Sequence, residues 1–310
     1  MTDRREQAAL LALTEAAATG EEAVQWHDIA HLIEAARSAS SVADGSATFY
    51  DEHDAQTARA LAARISPQMT TAWAESLELA LGDGVTSLVT ILDDAYPANL
   101  RRVFNRPPFL FVTGALAASD DLAVAIVGAR QPSPEGRAHA GQLAFELARR
   151  GVTVVSGLAR GIDTEAHTAA LDAGGRTIAV MGTGIERVYP DENRALADRI
   201  SAQGALVSQF WPGTSPRREN FPLRNVVSSG LAMGTIVVEA ASTSGARMQA
   251  RLALEHGKRL FLVAQLVVSE DWAKRYAERP GATVVKSVDD IVTVLAAERT
   301  AQQADQLSLL

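Results

Sequence analysis

The sequence predicts an α/β protein: an extended, Rossmann-like, doubly wound and mainly parallel sheet, preceded by a small all-α domain. Three observations carry this reading. From residue 86 onward, short apolar runs rich in Val and Ile alternate with segments of helical periodicity, the pattern of parallel strands covered on both faces. Four of those runs end on glycine or small polar residues, as strand-to-helix turns along one sheet edge require. Residues 1–85 hold amphipathic helical patterns and no such runs.

In the first 85 residues helices are expected over 6–18, stopped by Gly20, and over 24–36, 54–64 and 70–81. Residues 40–46 read as a loop, Pro67 as the opening of a turn, and Gly82-Asp83-Gly84 as the close of the segment. The second domain is expected over 86–298. Strands at 87–92 and 109–113 flank a turn at 93–97 and a short helix at 99–104. Five β–α units begin at 123–127, 152–155, 177–181, 205–208 and 235–238; a strand at 259–263 and a last pair, 282–285 and 288–297, complete the sheet. The first unit has the clearest punctuation: Ser133 as N-cap, Pro134 at the first helical position, Glu135 in the positive first turn, and Gly151 as terminator. Residues 299–310 read as a polar tail, too short for a further domain such as a winged helix.

Composition bounds the function. With 310 residues, 47% of them hydrophobic, the chain can bury a large core. It has no cysteine, which excludes disulfides and cysteine–zinc sites and fits a cytoplasmic setting. No run of eighteen apolar residues suggests a membrane span, and the first residues lack the apolar region of a signal peptide. The net charge of −8 is unevenly placed. Residues 1–85 carry 5 Lys and Arg against 14 Asp and Glu, whereas residues 86–310 carry 24 against 23. The acidic segment is therefore expected to stay clear of phosphate, and the remainder has room for a local basic site. His27 and His31 have the i, i+4 spacing of zinc ligands, but without a third ligand they read as surface histidines.

The chemistry concentrates at four strand ends: Gly128-Ala129-Arg130; Ser156-Gly157-Leu158-Ala159-Arg160-Gly161-Ile162-Asp163; Gly182-Thr183-Gly184; and Ser242-Thr243-Ser244-Gly245. Glycine lets a ligand approach the backbone, and each loop feeds a helix N-terminus with unpaired N–H groups and a positive dipole. Arg130, Arg160 and Arg224 supply guanidinium forks suited to phosphate. Neither a dinucleotide fingerprint nor a P-loop occurs. Glu239 ends an apolar strand and reads chiefly as a structural partner. His167, four residues after Asp163, reads as a packing or hydrogen-bonding residue, since no nucleophile elbow accompanies it.

The runs 124–130 and 156–163 with Ala166-His167, Gly182-Thr183-Gly184 with Tyr189-Pro190, Phe221-Pro222-Leu223-Arg224-Asn225, and Val238-Glu239-Ala240 with Ser244-Gly245 together resemble the DNA-processing protein A (DprA, or Smf) family, in that family's order, over about residues 86–290. The helical N-terminus is similar to that family's small, SAM-like domain. The resemblance implies a single-stranded DNA-binding protein that dimerises and delivers the strand to the RecA recombinase during transformation, with no catalysis and no cofactor. It also implies a DNA-backbone pocket built from Gly128, Arg130, Ser156, Gly157, Arg160, Gly161, Gly182, Gly184, Arg224, Asn225, Ser244 and Gly245, supported by Asp163, His167, Glu239 and Arg247. Bound at loops and helix ends, such a strand is held through its phosphates, with little sequence preference and strong salt dependence.

Several positions depart from the family pattern. Val226 stands where an arginine usually follows the F-P-x-R-N motif, Gln209 replaces a glutamate, and residues 246–250 replace a small-polar, Leu, Thr, Ala run, with Arg247 adding a charge. Ala264-Gln265 replaces Pro-Gly, and 267–279 matches poorly. These changes bear on transformation activity more than on fold. They keep open a second reading, a nucleotide- or small-ligand-sensing module of the same fold. A nucleotide-cleaving phosphoribohydrolase is disfavoured, because the P-G-G-x-G-T motif of those enzymes is missing.

Overall fold

A computed structural model describes residues 2–19 and 24–308. The expected helix stop at Gly20, and Leu309 and Leu310 of the expected tail, lie outside them. The chain divides into two compact units, Met1–Tyr96 with Arg101–Thr113, and Pro97–Leu100 with Gly114–Leu310.

In the first unit, α1 (Arg4–Ala18), α2 (Trp26–Ala36), α3 (Ala39–Ala43), α4 (Glu52–Ala62) and α5 (Pro67–Leu81) precede β1 (Thr86–Thr90). A single helical turn, α6 (Ala98–Arg101), separates β1 from β2 (Phe109–Gly114), and the two strands pair antiparallel from Thr86↔Thr113 to Thr90↔Phe109. Two local expectations are corrected. Helix α3 occupies part of the expected loop because Ser38 caps it and the Glu6 carboxylate accepts from the N–H groups of Ala39 and Ser40, supplying the partners a helix start lacks. Pro67 lies at the start of α5 rather than in a turn, because Ser66 accepts from Met69 N–H and proline's missing donor costs nothing there. His31 meets Asp54 at 3.0 Å. Among the described residues no group of three metal-ligating side chains exists.

The second unit is the doubly wound domain. Its strands are β3 (Ala123–Val127), β4 (Thr153–Ser156), β5 (Thr177–Val180), β6 (Ala205–Ser208), β7 (Gly234–Val237), β8 (Arg259–Val263) and β9 (Ala282–Val285), all parallel, in the order β6-β5-β4-β3-β7-β8-β9. The connecting helices are α7 (Pro134–Arg149), α8 (Ile162–Asp172), α9 (Arg194–Gln203), α10 (Asn220–Leu231), α11 (Gly245–Glu255), α12 (Ala264–Ser269), α13 (Asp271–Ala277) and α14 (Val288–Ser308). The central strands are buried along their whole length, as a sheet covered on both faces demands. One core joins Val124, Ile126, Leu143, Leu147 and Ile236; another gathers Leu260, Leu262, Trp272 and Tyr276. The α7 punctuation is as read: Ser133 accepts from Gly136 N–H, Pro134 follows, and Gly151 adopts φ +77° beyond the C-cap. Helix α14 continues to Ser308, through residues expected as tail, since 299–308 contains no glycine or proline to stop it. The chain winds from β3 out to β6 and returns to β7 on the other side of β3. That reversal opens a crevice at the carboxyl ends of β3 and β7, where ligands bind in such folds. Among the described residues no helix is long and apolar enough to cross a membrane.

Candidate functional site

Every loop named from sequence lies at this carboxyl edge, but the residues within them divide into those that face space and those that brace it. At the end of β3, Gly128 lets α8 press close: a Cβ there would meet Ile162 at 2.5 Å. Arg130 is exposed, with its guanidinium 5.7 Å from the centre of the Phe221 ring and no carboxylate within ion-pair distance among the described residues.

The 156–163 turn is partly satisfied from within. The Asp163 carboxylate accepts from Gly157 N–H (3.1 Å) and Ala159 N–H (3.3 Å), so two of the turn's own donors are already occupied. Burial pushes the Asp163 carboxyl up, opposed by Arg224 and by those two donors. Ser156 is buried and donates to Ile126 C=O at 2.6 Å, tying β4 to β3. Leu158 is held at φ +57° with its side chain buried, a left-handed conformation costly for leucine. The brace is Asn193, whose amide donates to Leu158 C=O (2.9 Å) and Thr164 Oγ1 (3.0 Å). Gly161 turns at φ +78°, where a Cβ would strike Ala129 C=O at 2.4 Å. His167 is fully buried; Thr177 Oγ1 lies 2.7 Å from Nδ1 and itself donates to Val154 C=O, so Nδ1 is the donor to it. Desolvation lowers this imidazole to about 3, which keeps it a neutral core residue.

Arg224, on α10, is nine-tenths buried. Its Nη1 donates to Val180 C=O at 3.1 Å, while Nε has no partner among the described residues. Burial lowers its pKa, as does Arg130, and Asp163 raises it; a guanidinium stays charged through such shifts. Gly157 makes room for it, since a Cβ there would stand 1.5 Å from Nη1. Arg224, Asn225, Gly128, Arg130, Ser244 and Gly245 line an inner cavity of about 280 Å³ in the β3–β7 crevice, closed on one side by Gln249. Ser244 caps α11 by accepting from Arg247 N–H at 3.2 Å. The N–H groups of Gly245 and Ala246 find no acceptor among the described residues. Among the described residues the backbone donors free for an anion are thus those of Gly245 and Ala246 at the start of α11, together with the Leu158, Arg160 and Gly161 N–H groups of the 156–163 turn.

An outer cavity of about 40 Å³ lies on the other side of Arg130 and Phe221, lined by Gly157, Arg160, Gly182, Thr183, Tyr189 and Pro190. Gly182 lets the Phe221 ring lie against the backbone, where a Cβ would meet it at 2.8 Å. Tyr189, about half exposed, stands 6.2 Å from Phe221 at 50°. Arg160 reaches this cavity but is paired with Glu192: Nε donates to Oε1 at 2.9 Å and Nη2 to Oε2 at 2.8 Å.

The remaining nominees lie outside both cavities. Gly184 N–H donates to Thr214 C=O at 2.9 Å, and a Cβ would strike Trp211 C=O at 2.1 Å. Glu239 accepts from Ser133 N–H (3.1 Å) and Oγ (2.7 Å), fixing the start of α7. Arg247 turns back onto Ser242 C=O at 2.7 Å and adds no charge to the inner cavity. Of the departures, Val226 is half-buried, and Gln209 is buried with its carbonyl oxygen unpartnered among the described residues. Phe221, Tyr189, Glu192 and Asn193 were not legible as site residues. The two aromatics were visible only inside motifs, and an aromatic ring alone reads as core.

Residues 87–296 match the family described as DNA recombination-mediator protein A. The DNA processing protein DprA of Streptococcus pneumoniae is 40% identical over 174 residues, 56% of this chain and 61% of that one. The chain spans no more than about three fifths of the curated relatives it matches first. The X-ray structure of DNA processing protein A from Streptococcus pneumoniae superimposes with a TM-score of 0.67 at 28% identity, covering 94% of this chain and 98% of that one. A structure describing the single-stranded DNA binding mode of DNA processing protein A from Helicobacter pylori gives a TM-score of 0.61 at 28% identity, covering 69% and 96%. Motifs, sheet order and match over most of the chain agree, and the protein belongs to the DNA recombination-mediator protein A family.

Proposed function

We propose that this protein binds single-stranded DNA through its phosphate backbone at the carboxyl edge of the sheet, and acts as a recombination mediator rather than as an enzyme. The observation that carries the reading is the inner cavity. Two guanidinium groups, Arg130 and Arg224, reach it without a carboxylate ion pair among the described residues, and the Gly245 and Ala246 N–H groups stand open beside them. Three donor sources converging on one space suit a phosphate. The Phe221 and Tyr189 rings alongside offer faces on which bases of any sequence can stack. The relatives' names support the same ligand. By that relation the partners are a RecA-class recombinase and a second copy of the chain, in the cytoplasm. No cofactor is needed for this role.

A second reading keeps a place because the inner cavity sits in the crevice where this fold takes mononucleotides. Titrating labelled oligo-dT, then a panel of mono- and dinucleotides, at low and moderate salt separates the two. Micromolar or tighter, salt-sensitive oligo-dT binding is the expected result; saturable mononucleotide binding with none of the oligomer favours the sensor and ends the DNA reading.

A further inference from the structure

We propose that Glu192 is a built-in competitor for the phosphate seat on Arg160: its carboxylate holds that guanidinium in the free protein and a bound strand displaces it. The inference rests on the reading of the edge as a phosphate-backbone site. Nε and Nη2 of Arg160 each donate to one Glu192 oxygen, at 2.9 and 2.8 Å. A phosphate would take the same two donors in the same forked geometry, so the two anions exclude one another on that face. The guanidinium lies at the outer cavity beside Gly157, Tyr189 and Phe221, and Arg130, Ala159 and Phe221 line both cavities, so the two adjoin.

The pair is built to exchange. Both side chains are more than half exposed, 59% and 55%, so water and salt screen the attraction and it holds only loosely. The backbone beneath them is fixed. Glu192 sits in a short 3₁₀ turn, 191–193, whose buried Asn193 is bonded to Leu158 C=O and Thr164 Oγ1 on either side of Arg160. The swap therefore needs only a side-chain rotation. The neighbouring acid, Asp191, is engaged by Arg194 at 3.2 Å.

The consequence is discrimination by phosphate number. Arg130 and Arg224 form no carboxylate ion pair among the described residues, and Asp163, which also lines the inner cavity, is engaged by the Gly157 and Ala159 N–H groups, so a single phosphate can settle there without breaking an ion pair. Only a ligand with several linked phosphates reaches Arg160 as well and evicts Glu192. The test titrates wild type, Glu192→Gln, Arg160→Ala and the double variant with oligo-dT and with inorganic tripolyphosphate at low salt. Glu192→Gln is expected to tighten oligo-dT binding roughly two- to fivefold, the scale of an exposed ion pair. In the Arg160→Ala background the same change is expected to give less than half of that gain on a logarithmic scale. Unchanged or weaker binding of both probes by Glu192→Gln overturns the proposal, weaker binding meaning that Glu192 positions Arg160. A full gain without Arg160 also overturns it, as a general charge effect. If wild type binds no oligo-dT, the DNA reading fails on its own and the tripolyphosphate series decides the role of Glu192.

Discussion

Gly157 and Arg224 are fitted to one another. The guanidinium occupies the volume that any side chain at 157 would need, with Nη1 1.5 Å from the ideal Cβ position. Replacing Gly157 by Ala is expected to push Arg224 out of the inner cavity and weaken oligo-dT binding at least tenfold while far-UV circular dichroism stays that of the wild type. Equal affinity in the variant would remove Arg224 from the site. Sequence showed the glycine and the arginine separately, sixty-seven positions apart; that one exists to house the other depends on α10 crossing the edge, which no local pattern reports. The same holds for Asp163, whose nearness to an anion turn was visible but whose carboxylate proved to accept from two of that turn's N–H groups. His167 gives a pH signature. Its folded value of about 3 lies below the ordinary 6.5, so the unfolded chain binds more protons between those limits. Stability is complete above about pH 6.5 and falls as pH drops toward 3, by up to about 1.4 kcal/mol per unit. Guanidinium unfolding midpoints at pH 7.5 and 5.5 should differ in that direction, and His167→Asn should narrow the gap; an unchanged gap in the variant would assign it to other groups, among them His256, lowered to about 4 by burial and Lys258.

Among elements, α7 depends on β7. Glu239, two residues past β7, accepts from both Ser133 N–H and Ser133 Oγ, while Ser133 caps the helix. Removing it as Glu239→Ala is expected to cost about 1.5–3 kcal/mol, the range for hydrogen bonds to a charged group, measured by urea denaturation; a change below about 0.5 kcal/mol would show the clamp to be idle. The elements themselves were largely legible, because parallel strands read as continuous apolar runs and helix ends carry caps such as Ser133-Pro134. What escaped were elements decided at a distance. Helix α3 needs Glu6 from another helix, and α14 runs on because nothing in it says stop. Glu239, read from sequence as structural, proves to serve a helix more than a hundred residues earlier.

At the scale of the molecule, charge is partitioned. The first 85 residues hold a large acidic excess, and the rest is nearly balanced, with Arg130, Arg160 and Arg224 at the carboxyl edge of the sheet. Neutralising exposed acids of the first unit, as Glu52→Gln, Glu75→Gln and Glu78→Gln together, is expected to leave oligo-dT affinity within about threefold at moderate salt, where exposed charges are screened over a Debye length of about 8–10 Å. A larger gain would place that unit beside the strand. The edge was foreseeable from β–α alternation alone; its division into an inner and an outer cavity was not, because Arg130, Ala159 and Phe221, which line both, come from three separate segments. The most direct test is oligo-dT affinity as a function of salt for wild type and Arg130→Ala. Three arginine contacts to phosphate predict a log–log slope near −2, about −0.7 for each, and Arg130→Ala should lose about one such increment together with at least tenfold in affinity. Salt-independent binding, or a variant with the slope and affinity of wild type, would contradict a phosphate-backbone site at this edge.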